Sequence, residues 1–219
     1  WDYGIGIDWL GQVVEAIDGR RIDKFCTEEI FGPLKLNDTV FELDDDRRAR
    51  LATLYARGED GKFAPFELAP PSEPEMYGMG HALYSTPADY MRFVRSFLNG
   101  GQLDGNRILS KVALEQMLAN QIGDLRVEKM VSQAPPVTAD VDFFPGIPKT
   151  YSAGFLRNEQ DVPEMRAAGS QSWAGVCNTH YWFDLQNDVG AVLMTQSLPF
   201  VEPRFLNTYA AFEKAVYAS

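Results

Sequence analysis

Only two cysteines, Cys26 and Cys177, and two histidines, His81 and His180, occur in 219 residues. There is no CxxC pair, and neither histidine belongs to an HExxH arrangement, so no metal site is expected. Both cysteines read as free, buried thiols. No apolar run approaches the length of a membrane span. The opening Trp1-Asp2-Tyr3-Gly4 lacks the basic start and apolar middle of a signal peptide, and without an initiator Met the chain reads as beginning mid-protein or after processing. Positive charge is also scarce. Lys and Arg total 20 against 31 Asp and Glu, a formal charge of −11 that repels phosphate backbones and anionic lipid. Nucleic-acid and membrane partners are therefore not expected. No serine sits in a Gly-x-Ser-x-Gly elbow, Ser170 and Ser172 included. Gly4-Ile5-Gly6 opens like a dinucleotide-binding motif, but Trp9 occupies the third glycine position and no strand precedes it. No cofactor is expected.

What is present is ordinary core material, 45% hydrophobic, arranged with clear periodicity. Ile7, Leu10, Val13, Val14 and Ile17 recur at helical spacing, with a stop at Asp18-Gly19. A second helix fits Ile22 to Ile30, closed by Gly32-Pro33. Residues 37–78 lose periodicity and read as surface loop, with a short strand at Arg50 to Tyr55. Thr86, Pro87 and Asp89 supply cap, first turn and acidic complement for a helix whose buried face is Tyr90, Phe93, Val94 and Phe97. Ser110 caps another at Val112 to Leu118. Beyond an irregular stretch at 121–150, strands are expected at Tyr151 to Arg157, Glu164 to Ala168, Val176 to Leu185 and Val189 to Gln196, the last two joined by a turn at Gln186-Asn187-Asp188. A helix from Pro203 to Tyr217 closes the chain, with Phe205, Tyr209, Phe212 and Val216 on one side. Helices, then an antiparallel meander, then a helix make an α+β fold.

Longer strings carry a resemblance. Tyr3-Gly4-Ile5-Gly6-Ile7-Asp8-Trp9-Leu10-Gly11, Ile30-Phe31-Gly32-Pro33-Leu34 through Asp38-Thr39, Gly78-Met79-Gly80-His81-Ala82-Leu83-Tyr84-Ser85-Thr86 through Asp89-Tyr90, Asn99-Gly100-Gly101, and Trp173-Ala174-Gly175 together resemble the penicillin-binding-protein-like serine hydrolases, in the branch of class C β-lactamases and family VIII carboxylesterases. In order and spacing they cover nearly the whole chain. The resemblance implies a β-lactamase-like (DD-peptidase-like) fold that is incomplete here, with a helical, loop-rich region at 1–150 and antiparallel strands plus the last helix at 151–219.

It also implies acyl transfer by a serine and lysine in a Ser-x-x-Lys motif, with a tyrosine sharing the proton and backbone amides holding the oxyanion. No serine here has Lys three positions on, so the chain reads as a carboxy-terminal fragment, inactive alone. Tyr3 is the implied catalytic tyrosine. Trp173, Ala174 and Gly175 form the implied inner edge strand, and the Val176 amide is one oxyanion donor. Ala174 adds a methyl where substrate would lie. Gly80 and His81 are candidate cleft residues, and Met76, Tyr77 and Phe144 are candidates for an acyl pocket. Lys149-Thr150-Tyr151 imitates the family's Lys-Thr-Gly triplet but reads as a decoy lying before the sheet. Trp173 in place of that lysine favours neutral esters over β-lactams. The expected function is a carboxylesterase acting on a small-molecule ester. The alternatives are a β-lactamase or D-amino-acid peptidase, or a non-catalytic binding member. Missing amino-terminal elements would leave an apolar face and a sheet edge exposed, implying self-association or pairing with the missing portion.

Overall fold

The computed structural model describes residues 1–68 and 72–218. Helix α1 (Gly6–Asp18) ends where Gly19 turns to φ 85° and its amide returns to the Glu15 carbonyl. The Glu15 carboxylate accepts from the Ile22 amide at 2.9 Å and so sets the start of α2 (Ile22–Cys26). Here the expected stop at Gly32-Pro33 is corrected. The helix widens into a π turn at Thr27–Phe31 and continues as α3 (Gly32–Leu34), ending at Lys35 with φ 55°. Pro33, which has no N–H to contribute, is the second residue of α3 and directly follows the widened turn.

The supposed loop also holds structure. Asp44 caps α4 (Asp45–Ala49) by accepting from the Arg47 amide, and the strand expected at Arg50 to Tyr55 begins later, as β1 (Tyr55–Arg57). It pairs antiparallel with β2 (Phe63–Pro65). Of the Pro-rich run, residues 69–71 lie outside the described residues. Helix α5 (Pro87–Leu98) starts as its sequence dictates, the Thr86 hydroxyl accepting from the Asp89 amide at 3.2 Å. Asp89 does more than complement the helix end: it is buried and accepts from the Asp38 amide and the Thr39 hydroxyl. The ribbon β3 (Gln102–Leu103) and β4 (Asn106–Arg107) leads to α6 (Lys111–Leu118), capped by Ser110.

A five-stranded antiparallel sheet follows, in the order β5 (Lys149–Tyr151), β6 (Leu156–Asn158), β7 (Gln171–Gly175), β8 (Thr179–Asp184) and β9 (Val189–Met194). Three expectations change. Tyr151 to Arg157 is the turn and arms of the β5–β6 hairpin, Glu164 to Ala168 is not a strand, and Val176 to Asn178 is a turn. The Gln186-Asn187-Asp188 turn stands as read, its amides at 186 and 187 accepted by Asp184. The short β10 (Ser197–Leu198) runs parallel to β1. Helix α7 (Pro203–Tyr217) closes the chain.

The sheet is covered on both faces. Tyr181 and Phe183 point to α5 and α6. There Phe97 stacks on Phe183 at 5.0 Å and meets Phe155 edge-on at 5.4 Å, geometry worth about 0.5–1.5 kcal/mol per pair beyond burial. His180, Trp182 and Asp184 alternate to the other face, where Trp182 packs with Phe205, Tyr209 and Phe212 of α7. Cys26 is buried, Cys177 only half-buried, and both are free thiols. The apolar stripe of α1 is different. Ile5, Ile7, Trp9, Leu10, Val13 and Ile17 are all exposed and only Gly11 is buried.

His180 is 2% exposed within an aromatic box of Phe143, Phe200, Phe205 and Tyr209, and its Nε2 has no partner among the described residues. Burial, with the Arg166 charge behind it, lowers its pKa to about 3. The unfolded chain binds a proton here near pH 6.5, whereas the folded chain does not. Stability from this group is thus complete above pH 6.5 and is lost as pH falls toward 3, at about 1.4 kcal/mol per unit. Urea unfolding at pH 6.5 and 4.5 should show wild type losing roughly 2.5 kcal/mol more than His180→Phe. Equal losses in the two proteins would show that His180 does not govern acid sensitivity.

Candidate active site

Tyr3 sits immediately before α1, and 62% of its surface is exposed. Its ring stacks on Trp173 of β7, centroids 5.9 Å apart and planes 28° from parallel. The Tyr3 hydroxyl has no hydrogen-bond partner among the described residues. Two residues 170 positions apart in sequence, singled out for one cleft, thus come together.

The sheet register explains the rest. Trp173 lies opposite Tyr181, and Ala174 opposite His180. Directly opposed residues share a face, so Trp173 points to the α5 side with Tyr3 and the Ala174 methyl points to the α7 side. The methyl expected to crowd the substrate does not lie on the Tyr3 face. Gly175 does share the Trp173 face, and a Cβ there would come within 2.4 Å of the Thr179 hydroxyl. The strand is also not an edge: β7 is third of five. Yet β6 pairs only with Gln171 and Ser172, so from Trp173 to Gly175 the side away from β8 has no strand partner among the described residues. Just beyond, the Val176 amide has no hydrogen-bond partner among the described residues.

Lys149-Thr150-Tyr151 is not outside the sheet; it forms β5. Tyr151 meets Trp173 edge-on at 5.4 Å and Trp1 at 5.1 Å, so Trp173 is held between two tyrosines. Burial, with Tyr3 nearby as the second cause, raises the Tyr151 pKa to about 12 and keeps its phenol protonated. Tyr181, the cross-strand neighbour of Trp173, is likewise pushed up by burial beside Tyr90. Lys149, the cation of the imitation triplet, is turned away into Asp142 and the Ile147 carbonyl. Lys149 and Tyr151 are two positions apart and share a face of β5, so strand alternation gave no signal that would separate them.

The loop candidates are tied to α1. The Gly80 amide donates to Asp8 of α1 at 2.8 Å, and His81 is 4.0 Å from the same carboxylate with its side chain 73% exposed. His81 borders a cavity of about 200 Å³ with Phe41, Met76, Tyr77 and Tyr84. It makes no ring contact or hydrogen bond with Tyr3 or Trp173 among the described residues. Met76 and Tyr77 therefore share a pocket, but Phe144 does not join them; its ring lies 4.8 Å from the Arg166 guanidinium.

Comparison with known proteins bears on this arrangement. Over 205 residues the chain is 28% identical to the lovastatin esterase of Penicillium rubens, a match covering 88% of this chain and 50% of that protein. The fold superposes on the unliganded simvastatin synthase of Aspergillus terreus with a TM-score of 0.82 at 22% identity, covering 100% of this chain and 55% of that one. It superposes on EstCE1, described as a hydrolase with promiscuous acyltransferase activity, with a TM-score of 0.73 at 20% identity, over 98% of this chain and 55% of that one. The chain spans about half the length of the curated relatives it matches. The family model described as Beta-lactamase matches residues 4–216, nearly the full sequence, and the chain belongs to that family.

Proposed function

We propose that the whole protein containing these residues is a serine carboxylesterase that works through an acyl-enzyme. The observation that carries this reading is the stacking of Tyr3 on Trp173, with a hydroxyl on one and, at the end of the other's strand, an amide at Val176 that have no hydrogen-bond partner among the described residues. Tyr3 moves the proton of a serine supplied from outside this chain, and the Val176 amide holds the developing oxyanion. Trp173 offers an apolar platform where a lysine would attract a carboxylate, which favours neutral esters. The lovastatin esterase relative supports an ester substrate. The EstCE1 likeness adds a second reading, in which an alcohol, rather than water, takes the acyl group. The exposed face of α1 and the open edge of β9 are the surfaces on which the rest of the polypeptide packs.

Turnover of p-nitrophenyl acetate and of nitrocefin by the whole protein tests the assignment. Ester turnover should exceed nitrocefin turnover; the reverse order would make it a β-lactamase. A fluorophosphonate probe, read by intact mass, should label the whole protein and leave this chain alone unmodified. Labelling of the chain alone would disprove an external nucleophile. Inertness of the whole protein in all three assays would leave a binding role.

A further inference from the structure

Val176 and Cys177 occupy the turn between β7 and β8, and turns of this kind are mobile unless something outside the hairpin holds them. Here the hold is Asn178. Its backbone sits at φ 59°, a left-handed conformation that Asn tolerates better than most residues, and its amide closes the turn on the Gly175 carbonyl at 3.0 Å. The side chain is wholly buried, at 0% exposure. Its Nδ2 donates to the carbonyls of Ser197 at 2.8 Å and Pro199 at 3.0 Å, and lies 3.3 Å from the Ser197 hydroxyl. Its Oδ1 accepts from the Val201 amide at 2.8 Å. The donors face carbonyls and the acceptor faces an N–H, so the network itself fixes the amide orientation.

The loop after β9 returns the grip. The Asn178 carbonyl accepts from the Thr195 amide at 3.2 Å and the Thr195 hydroxyl at 3.0 Å, and the Cys177 carbonyl accepts from the Ser197 amide at 3.2 Å. Val201, a β-branched residue, is held at φ 52°, a conformation that persists only where its surroundings over-determine it. Apart from its backbone N–H, which closes the turn, every polar atom of Asn178 is thus spent on joining the turn to residues 195–201, whereas the Val176 amide two positions earlier is spent on nothing within the described residues.

We propose that Asn178 is a positioning residue that holds the Val176 amide in the direction an oxyanion requires. This rests on the esterase reading above. An amide aimed at a developing charge acts only if it needs no reorganisation when the charge appears, and a turn bonded to Thr195, Ser197, Pro199 and Val201 meets that condition. Asn178 touches no substrate; it acts through the backbone.

The test uses the whole protein with p-nitrophenyl acetate. Asn178→Gly keeps the left-handed backbone and the bonds to its carbonyl but removes the side-chain bonds to Ser197, Pro199 and Val201. Asn178→Asp keeps the volume and the acceptor but loses both N–H donors. Each should lower kcat at least tenfold with KM within threefold of wild type. Asn158→Ala is the control. It removes another buried amide, bonded to the Gln160 and Ala167 carbonyls away from the turn, and should lower thermal stability while keeping kcat. Unchanged kcat in Asn178→Gly, or an equal loss of kcat in Asn158→Ala, would overturn the proposal. Amide hydrogen exchange on the present chain tests the clamp apart from catalysis. Faster exchange at Asn178 and Ser197, whose amides bond to the Gly175 and Cys177 carbonyls, is expected in Asn178→Asp whether or not the whole protein is an esterase, and unchanged exchange there refutes the clamp. Absence of ester turnover by the wild-type whole protein refutes the esterase reading and leaves the clamp to the exchange measurement.

Discussion

In the whole protein, Tyr3→Phe should lower kcat for p-nitrophenyl acetate by about 10²–10⁴-fold, the usual contribution of a positioned proton-transfer group. The substitution isolates one atom. The ring keeps its stack on Trp173, and the hydroxyl it loses has no hydrogen-bond partner among the described residues. Nothing in the fold depends on that oxygen, so thermal stability should stay within about 0.5 kcal/mol, as for an exposed surface change. A drop in turnover without a drop in stability is the signature of chemistry. Turnover within threefold of wild type, measured on a protein of unaltered melting temperature, would remove Tyr3 from the mechanism.

The second large effect concerns stability. Arg166 and Glu213 are 1% and 0% exposed and face each other in two parallel hydrogen bonds of 2.7 Å, with the Tyr209 hydroxyl 3.0 Å from the guanidinium. Phe144 and Trp182 stack over the same cation at 4.8 and 5.0 Å. Burial works against the guanidinium's charge, and Tyr209 and Glu213 together outweigh it, so Arg166 stays protonated. Arg166→Met leaves the Glu213 carboxylate buried without its partner and should cost about 3–5 kcal/mol in urea unfolding. Adding Glu213→Leu should recover most of the loss, because two apolar side chains then replace two buried charges. A single variant within 1 kcal/mol of wild type would mean the pair is not what fastens α7 to the strap at 164–168.

That same pair explains a misreading. Glu164 to Ala168 looks like a strand because Met165 and Ala167 alternate with charged residues, yet Arg166 points inward and its bonds go to a helix instead of a ladder. The real strand begins at Gln171, which is buried although polar; its Nε2 donates to the Leu118 carbonyl, while its Oε1 has no partner among the described residues. Hydrophobic alternation cannot reveal a buried polar residue whose donor reaches a distant backbone group. Local signals fared better: the caps at Thr86 and Ser110, the glycine at 19 and the turn at 186–188 depend on a few adjacent residues, and each stands where the sequence placed it. The π turn before Pro33 had no such signal. At the site, the family strings were enough to pair Tyr3 with Trp173. Tyr151 carries no such signal: its ring meets Trp173 through a contact between β5 and the end of β7, which the Lys-Thr-Tyr triplet does not encode.

The exposed stripe on α1 also bears on how copies of this chain meet one another. Six large apolar side chains lie bare along one helix and the residues before it, so contact between copies would be favoured by the removal of that surface from water. What opposes it is the formal charge of −11, whose reach shrinks from about 30 Å in 0.01 M salt to about 3 Å in 1 M. Colloidal behaviour is thereby tied to ionic strength: dilute buffer keeps the molecules apart, and concentrated brine takes away the repulsion that separates them.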